Sequence, residues 1–211
     1  MPVDFKKTEK ELYQPSTAPS IIDVPEMAFI MIDGSGDPNM SDEYKTALEI
    51  LYGLSYGIKM SKMESTQPDG YFEYVMPPLE GLWWHVDGGE IQDYTDKASF
   101  CWTSMIRQPD FVTAEVFASF ARSLAKKKPG LDLSLARLEK FTEGLCVQAM
   151  HVGSYDQESA TIAAMERYAG ENGFATDLSG TRRHHEIYLS DPRKSKPENM
   201  KTVIRHPVRK I

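Results

Sequence analysis

Near the C-terminus the run R-H-H-E-I-Y-L-S-D-P (Arg183 to Pro192) sets one carboxylate between two histidines and a tyrosine. The run reads as a strand, in which successive side chains point to opposite faces. His184, Glu186 and Tyr188 therefore share one face, and His185, Ile187 and Leu189 the other. The second set can join a core. The first puts an acid and a phenol two residues apart on whatever surface the sheet presents. An acid there is either a solvated strand residue or part of a site. Against an aromatic cleft, Glu186 would be partly desolvated, which raises its pKa and suits it to hold a cation or accept a proton. Tyr188 could donate a hydrogen bond or simply pack.

Three tryptophans could wall such a cleft. Trp83 and Trp84 are neighbours in one strand-like run, so at most one of them faces it, and Trp102 alternates with Cys101 and Thr103 in another. A buried indole is commonly core. Three of them in strands beside one cleft still give an aromatic wall, worth about 0.5 to 2 kcal/mol per good contact to a planar or cationic ligand. Tyr71 and Glu73 share a face by parity, and Tyr155 lies in a turn that looks toward the same region. The expected ligand-binding set is Trp102, Trp83, Tyr71, Tyr155 and Glu186. His184 and His185 point apart, the helical His-Glu-x-x-His spacing is missing and no cysteine pair helps, so neither a metal nor another cofactor is expected. The stretch G-S-G-D-P (Gly34 to Pro38) has no following Lys-Ser or Lys-Thr, and its glycines read as turn residues.

The elements that must position these residues follow from periodicity. Residues 1 to 20 are polar, with Pro15 and Pro19, and form an arm; residues 21 to 211 form one domain. M-A-F-I-M-I-D (Met27 to Asp33) is a strand. Ser41 caps a helix with Asp42 and Glu43 in its first turn and Tyr44, Ala47, Leu48, Leu51, Leu54 and Ile58 on one face. Y-F-E-Y-V-M-P-P and E-G-L-W-W-H-V read as two strands around Pro77 and Pro78, and A-S-F-C-W-T-S-M-I-R-Q as a third that stops at Pro109. Thr113 opens a helix carrying Val116, Phe117, Phe120 and Leu124 that ends at K-K-K-P-G, and D-L-S-L-A-R-L-E-K-F is a further helix.

An internal echo organises these elements. M-I-D-G-S-G-D (Met31 to Asp37) and M-H-V-G-S-Y-D (Met150 to Asp156) match at Met, Gly, Ser and Asp. Each follows an apolar strand and precedes an amphipathic helix, the second with Ile162, Met165 and Ala169 inward, and then a strand with a single glutamate, Glu73 or Glu186. The expected fold is α+β: two strand-helix-strand-strand units related by a pseudo-twofold, at about 21 to 109 and 140 to 211, joined by a helical connection. An antiparallel sheet would carry helices on one face and a cleft between the halves, with Glu73 and Glu186 quasi-equivalent.

Composition narrows the function. The 211 residues are 41% hydrophobic and 26% charged, ordinary globular values. No apolar run reaches a membrane span, the N-terminus lacks an apolar stretch after its basic residues, and Cys101 and Cys146 read as reduced thiols, so a cytoplasmic protein without membrane partner is expected. The net charge of −7 hides an asymmetry: from Arg182 onward nine Lys and Arg stand against three Asp and Glu. That footprint is too small for nucleic acid, and the acidic body fits neutral or cationic organic ligands, or solubility alone.

The duplicated plan, with G-L-W-W, C-W-T-S-M-I-R-Q-P-D-F and H-H-E-I-Y-L-S-D-P-R-K, resembles the GyrI-like small-molecule-binding superfamily over roughly residues 20 to 208. It is most similar to stand-alone members, with no helix-turn-helix module ahead of the domain. In that family a Glu-x-Tyr pair on the strand after the second helix recurs, here Glu186 and Tyr188. The resemblance implies multidrug binding of bulky lipophilic cations, or xenobiotic detoxification by a hydrolase that opens cyclopropane-bearing genotoxins. Catalysis would fall to Glu186 and Tyr188, with Glu73 assisting. A passive binder or effector sensor without turnover, and an interaction module whose basic tail docks an acidic partner, are the alternatives.

Overall fold

In a computed structural model that describes residues 1–91 and 96–211, two long strands, β1 (Ser20–Ser35) and β4 (Arg137–Val152), lie antiparallel with Val24 opposite Gly144 and form the spine of the sheet. β1 also pairs with β3 (Phe100–Gln108), β3 with β2 (Leu79–His85), β2 with β6 (His184–Tyr188) and β6 with β7 (Lys201–Lys210), and β7 returns to β4. All these pairings are antiparallel. A three-residue strand, β5 (Phe174–Thr176), borders β7. With its helices the protein is α+β, and the order strand, helix, strand, strand occurs in each half of the chain.

Short α1 (Phe5–Thr8) and α2 (Lys10–Tyr13) lie in the arm; α3 (Asp42–Met60), α4 (Ala114–Lys127) and α5 (Ser159–Glu171) are the long helices. α3 starts where Ser41 accepts the Tyr44 amide, as the sequence anticipates, and Thr113 caps α4 in the same way. α3 carries two stripes. Ala47, Ile50, Leu51, Leu54 and Ile58 are buried against Ile30, Ile32, Trp102 and Ile106 of the sheet. Tyr44, Leu48, Tyr52 and Tyr56 recur every fourth residue on a second stripe, of which Tyr44, Leu48 and Tyr52 border the core and stay only partly buried. α5 covers β4 and β7 through Ile162, Met165 and Ala169. The opposite face is closed by the arm, whose Phe5, Leu12 and Tyr13 pack with Phe29, Met105 and Ile187. Among the described residues no helix is long and apolar enough to cross a membrane.

Three expectations change. Residues 71 to 78 are irregular, apart from a bridge of Tyr74 to Val3, because two consecutive prolines remove the donors a ladder needs. D-L-S-L-A-R-L-E-K-F is one turn of 3-10 helix, Leu133–Leu135, followed by β4. The basic C-terminal run is no loose tail: β7 is a sheet strand whose Arg205 and His206 are buried, while Arg193, Lys194, Lys196, Lys201, Arg209 and Lys210 stay exposed.

Candidate functional site

The second stripe of α3 faces β2 and the end of β6 across a cavity of about 1110 Å³. Both halves of the chain line it: Tyr44, Leu48, Tyr52, Tyr56, Leu79, Trp83 and Phe100 from the first, Tyr155, Glu158, Glu186 and Tyr188 from the second. From Tyr44 to Tyr56 the helical rise gives a wall roughly 18 Å long. At the rim the charges are paired, Lys128 with Glu49 at 2.6 Å, Lys97 with Asp156 at 3.0 Å and Arg193 with Asp191 at 2.9 Å. The field inside is therefore set by the groups at the inner end.

Those groups are held by β6 and by the turn that enters α5. Glu186 accepts a hydrogen bond from the His184 ring, Nε2 to Oε1 at 2.9 Å, and another from the Tyr188 hydroxyl. Trp83 Nε1 donates to the Tyr188 oxygen at 2.9 Å. Glu158, 2% exposed, faces Glu186, and its Oε1 is buried without a hydrogen-bond partner among the described residues. The two carboxyl groups differ in charge state. Burial and the adjacent Glu186 charge push Glu158 well above the usual carboxylate range. Burial also acts on Glu186, but the bonds from His184 and Tyr188 outweigh it and hold Glu186 below that range, the reverse of the shift that burial alone would give. Tyr188 is pushed well up by burial and by Glu186, so it stays a neutral donor. A protonated acid and an ionised base thus stand side by side.

The model of the GyrI-like small molecule binding domain matches residues 17–209. The chain belongs to this family. It is similar over 98% of its length, at 48% identity and a TM-score of 0.89, to all of a hydrolase from Listeria innocua whose crystal structure is known. A conserved protein of uncharacterised role from Listeria innocua is likewise matched in full, over 98% of this chain, at 50% identity and a TM-score of 0.92. The EcmrR C-terminal domain, at 14% identity and a TM-score of 0.52, covers 92% of this chain with 98% of its own and shares the fold. No curated protein matches the sequence. As a GyrI-like domain, the protein is a small-molecule binder.

Within this GyrI-like cavity the expected residues separate. Glu186, Tyr188, Trp83 and Tyr155 line it, and Tyr155 meets Tyr188 edge-on at 5.7 Å. Trp102 does not. It is fully buried behind Tyr44, 4.9 Å away and perpendicular, under Gly34, where a Cβ would come within 2.3 Å of its ring. Tyr71 packs on Phe111 and donates to the Lys59 carbonyl, outside the cavity. Glu73 is on the irregular segment, exposed and paired with Lys62, so it is no counterpart of Glu186. Sequence reasoning missed Glu158 and the stripe Tyr44, Tyr52, Tyr56. The four-residue spacing of those tyrosines was a readable signal. The pairing of Glu158 with Glu186 was not, since the two are brought together only by the β4-to-α5 turn.

Glu158, His184 and Glu186 also place three possible ligand atoms within 4.8 Å of one another, the one such cluster among the described residues. As a cation site it would need His184 Nε2 free of its proton, whereas that nitrogen is engaged with Glu186.

Proposed function

We propose that the protein captures lipophilic, planar small molecules in the tyrosine-lined cavity and opens a strained electrophilic ring, a cyclopropane conjugated to a dienone, by adding water. The observation that carries this reading is the facing pair of carboxyl groups, Glu158 and Glu186, one pushed above and the other held below the usual carboxylate range, at the inner end of an aromatic cavity of about 1110 Å³. The similarity to a protein described as a hydrolase supports it. In the reaction Glu186 takes a proton from water as the water oxygen bonds to a cyclopropane carbon. The carbon-carbon bond breaks and its electron pair moves through the conjugated system to the carbonyl oxygen. That oxygen takes the proton of Glu158, the ring becomes a phenol, and a proton passes from Glu186 to Glu158 to reset the site. Tyr188, held by Trp83, keeps the Glu186 carboxylate aimed. Relief of strain and aromatisation drive the step, so the protein supplies position and protons.

The test is co-incubation with a cyclopropane-bearing dienone followed by mass spectrometry. We expect substrate plus one water at a rate well above buffer, lost in Glu186→Gln. Binding without product overturns hydrolysis and leaves the second reading, passive multidrug-type capture, which the aromatic wall and the ionised Glu186 support.

A further inference from the structure

Behind Glu186 a line of buried histidines leads away from the cavity. His206, on β7 and fully buried, sits beside His184, one pair beyond the His185 to Arg205 register of β6 and β7. Its Nε2 is 2.7 Å from His184 Nδ1, and His184 Nε2 is 2.9 Å from Glu186 Oε1. His206 Nδ1, at the far end, is buried with no hydrogen-bond partner among the described residues.

We propose that His206 and His184 form a relay locked in one tautomeric direction, which fixes Glu186 as a hydrogen-bond acceptor and makes both histidines positioning residues for the hydrolysis above, on which this inference rests.

A chain of three groups can point its protons either way. In one direction His206 Nε2–H donates to His184 Nδ1, and His184 Nε2–H donates to an ionised Glu186. What is left over is a lone pair on His206 Nδ1. In the other direction Glu186 must carry a proton and donate it to His184 Nε2, His184 Nδ1–H donates to His206 Nε2, and His206 is forced to hold its proton on Nδ1. What is left over is then a buried N–H with no acceptor. Doubly protonating His184 has the same consequence, because His206 Nε2 must again accept. An orphaned buried donor is rarer in proteins than an under-used acceptor, and losing such a hydrogen bond is costly. Charging His206 offers no escape, since its burial pushes its pKa well down. Only the first direction survives, and it requires Glu186 to be a carboxylate. The terminal nitrogen of His206 thereby biases a carboxyl group two residues away along the chain of bonds.

Glu186 is surrounded by more than this relay. His184 and Tyr188 adjoin it on β6, Glu158 faces it from the entry to α5, and Tyr44 of α3 and Tyr155 lie close enough to feel its charge. Lys97 and Asp156 act on Glu158, and Glu143 of β4 acts on His206. Of these, Tyr188 and Glu158 also hydrogen-bond Glu186 and favour its charged form, but the bond from His184 ranks ahead of theirs, so the carboxylate depends chiefly on the donor from His184.

Two measurements test the relay. Long-range ¹H–¹⁵N correlation on the labelled wild-type protein near pH 7 should show His184 and His206 both neutral, both carrying the proton on Nε2. A proton on His206 Nδ1, a doubly protonated His184, or a His184 Nε2 signal that moves to a metal-bound position on adding Zn²⁺ would overturn it. The second measurement is the acid limb of single-turnover ring opening. His206→Leu removes the donor to His184 and should move that limb upward, with a loss of roughly tenfold or more at acid pH per unit moved, whereas His206→Gln, which retains a donor, should restore part of it. An acid limb equal in both variants overturns the relay even if turnover falls. Should the substrate be bound but not turned over, the same limb is read in the affinity for a lipophilic cation, and the tautomers are measured regardless. Failure of hydrolysis and failure of the relay are therefore distinguishable.

Discussion

Trp83 and Tyr188 are joined side chain to side chain across the β2–β6 pair, indole N–H to phenol oxygen at 2.9 Å, directly over Gly81. A Cβ on Gly81 would lie 2.6 Å from Trp83 Nε1 and 3.1 Å from the Tyr188 hydroxyl, so this residue must lack a side chain for the bond to form. Gly81→Ala should leave the far-ultraviolet spectrum unchanged and weaken ligand capture by about tenfold, about 1.4 kcal/mol, through displacement of Trp83. Unaltered tryptophan quenching by ligand in that variant would show that the contact is dispensable.

The carboxyl pair predicts a bell-shaped pH dependence. Glu186, held low, must be ionised, so activity falls on the acid side; Glu158, held high, must be protonated, so activity falls on the alkaline side. Glu186→Gln should cut single-turnover hydrolysis by roughly 10²- to 10⁴-fold. Glu158→Gln cannot deliver a proton and should flatten the alkaline limb at a low rate. If both variants keep a bell of wild-type shape, the limbs belong to other groups.

Charge selectivity should rest on Glu186, because the rim ions are mutually paired. Glu186→Gln is expected to weaken a lipophilic cation by about 1 to 3 kcal/mol while a neutral planar ligand changes less. Calorimetry giving equal losses for the two would refute a counter-ion role. Glu73→Gln serves as the contrasting variant. Its carboxylate is exposed, paired with Lys62 and outside the cavity, where solvent screens the pair, so ligand capture should be unchanged.

How far the sequence carried differs by residue. The face shared by His184, Glu186 and Tyr188 followed from period-2 alternation, and the single inward tryptophan of the Trp83-Trp84 pair followed from the same parity. Strand capping and the helix starts at Ser41 and Thr113 were local chemistry and were readable. Glu73 failed because its segment looked like a strand by composition, while Pro77 and Pro78 and the short bridge to Val3 left it without a ladder. β7 was hidden for the opposite reason. Its lysines and arginines resemble a solvated tail, and only the tertiary partners of Arg205, namely Glu143, Gln148 and the Leu12 carbonyl, explain its burial. Glu158 needed the fold itself, since no spacing relates it to Glu186.

The last prediction concerns the other face of β6. His185 is sandwiched between Glu80 and Glu143, 3.0 Å from each; Arg205 reaches Glu143 at 3.3 Å, and Tyr13 of the arm donates to Glu80 at 3.4 Å. The ring is 1% exposed. Burial opposes its charge, but the carboxylates prevail and raise His185 to about 9, while His185 and Arg205 lower Glu143 to about 2 against the same opposition. The signs follow from the folded values. His185 contributes stability that is full below its unfolded value of 6.5 and is lost as the pH rises through about 9; Glu143 contributes stability that is full above 4.5 and is lost as the pH falls through about 2. Stability from this pair should therefore be flat between about 4.5 and 6.5 and decline on both sides. On the alkaline side the loss should be about 3 kcal/mol by pH 9.5, read as a fall in the urea midpoint. His185→Gln should be less stable at pH 6 by about 3 to 5 kcal/mol, since it leaves buried carboxylates without their cation, and should lose little more on going to pH 9.5. A parallel alkaline decline in wild type and variant would assign the effect to other groups and leave the arm held by its apolar contacts alone.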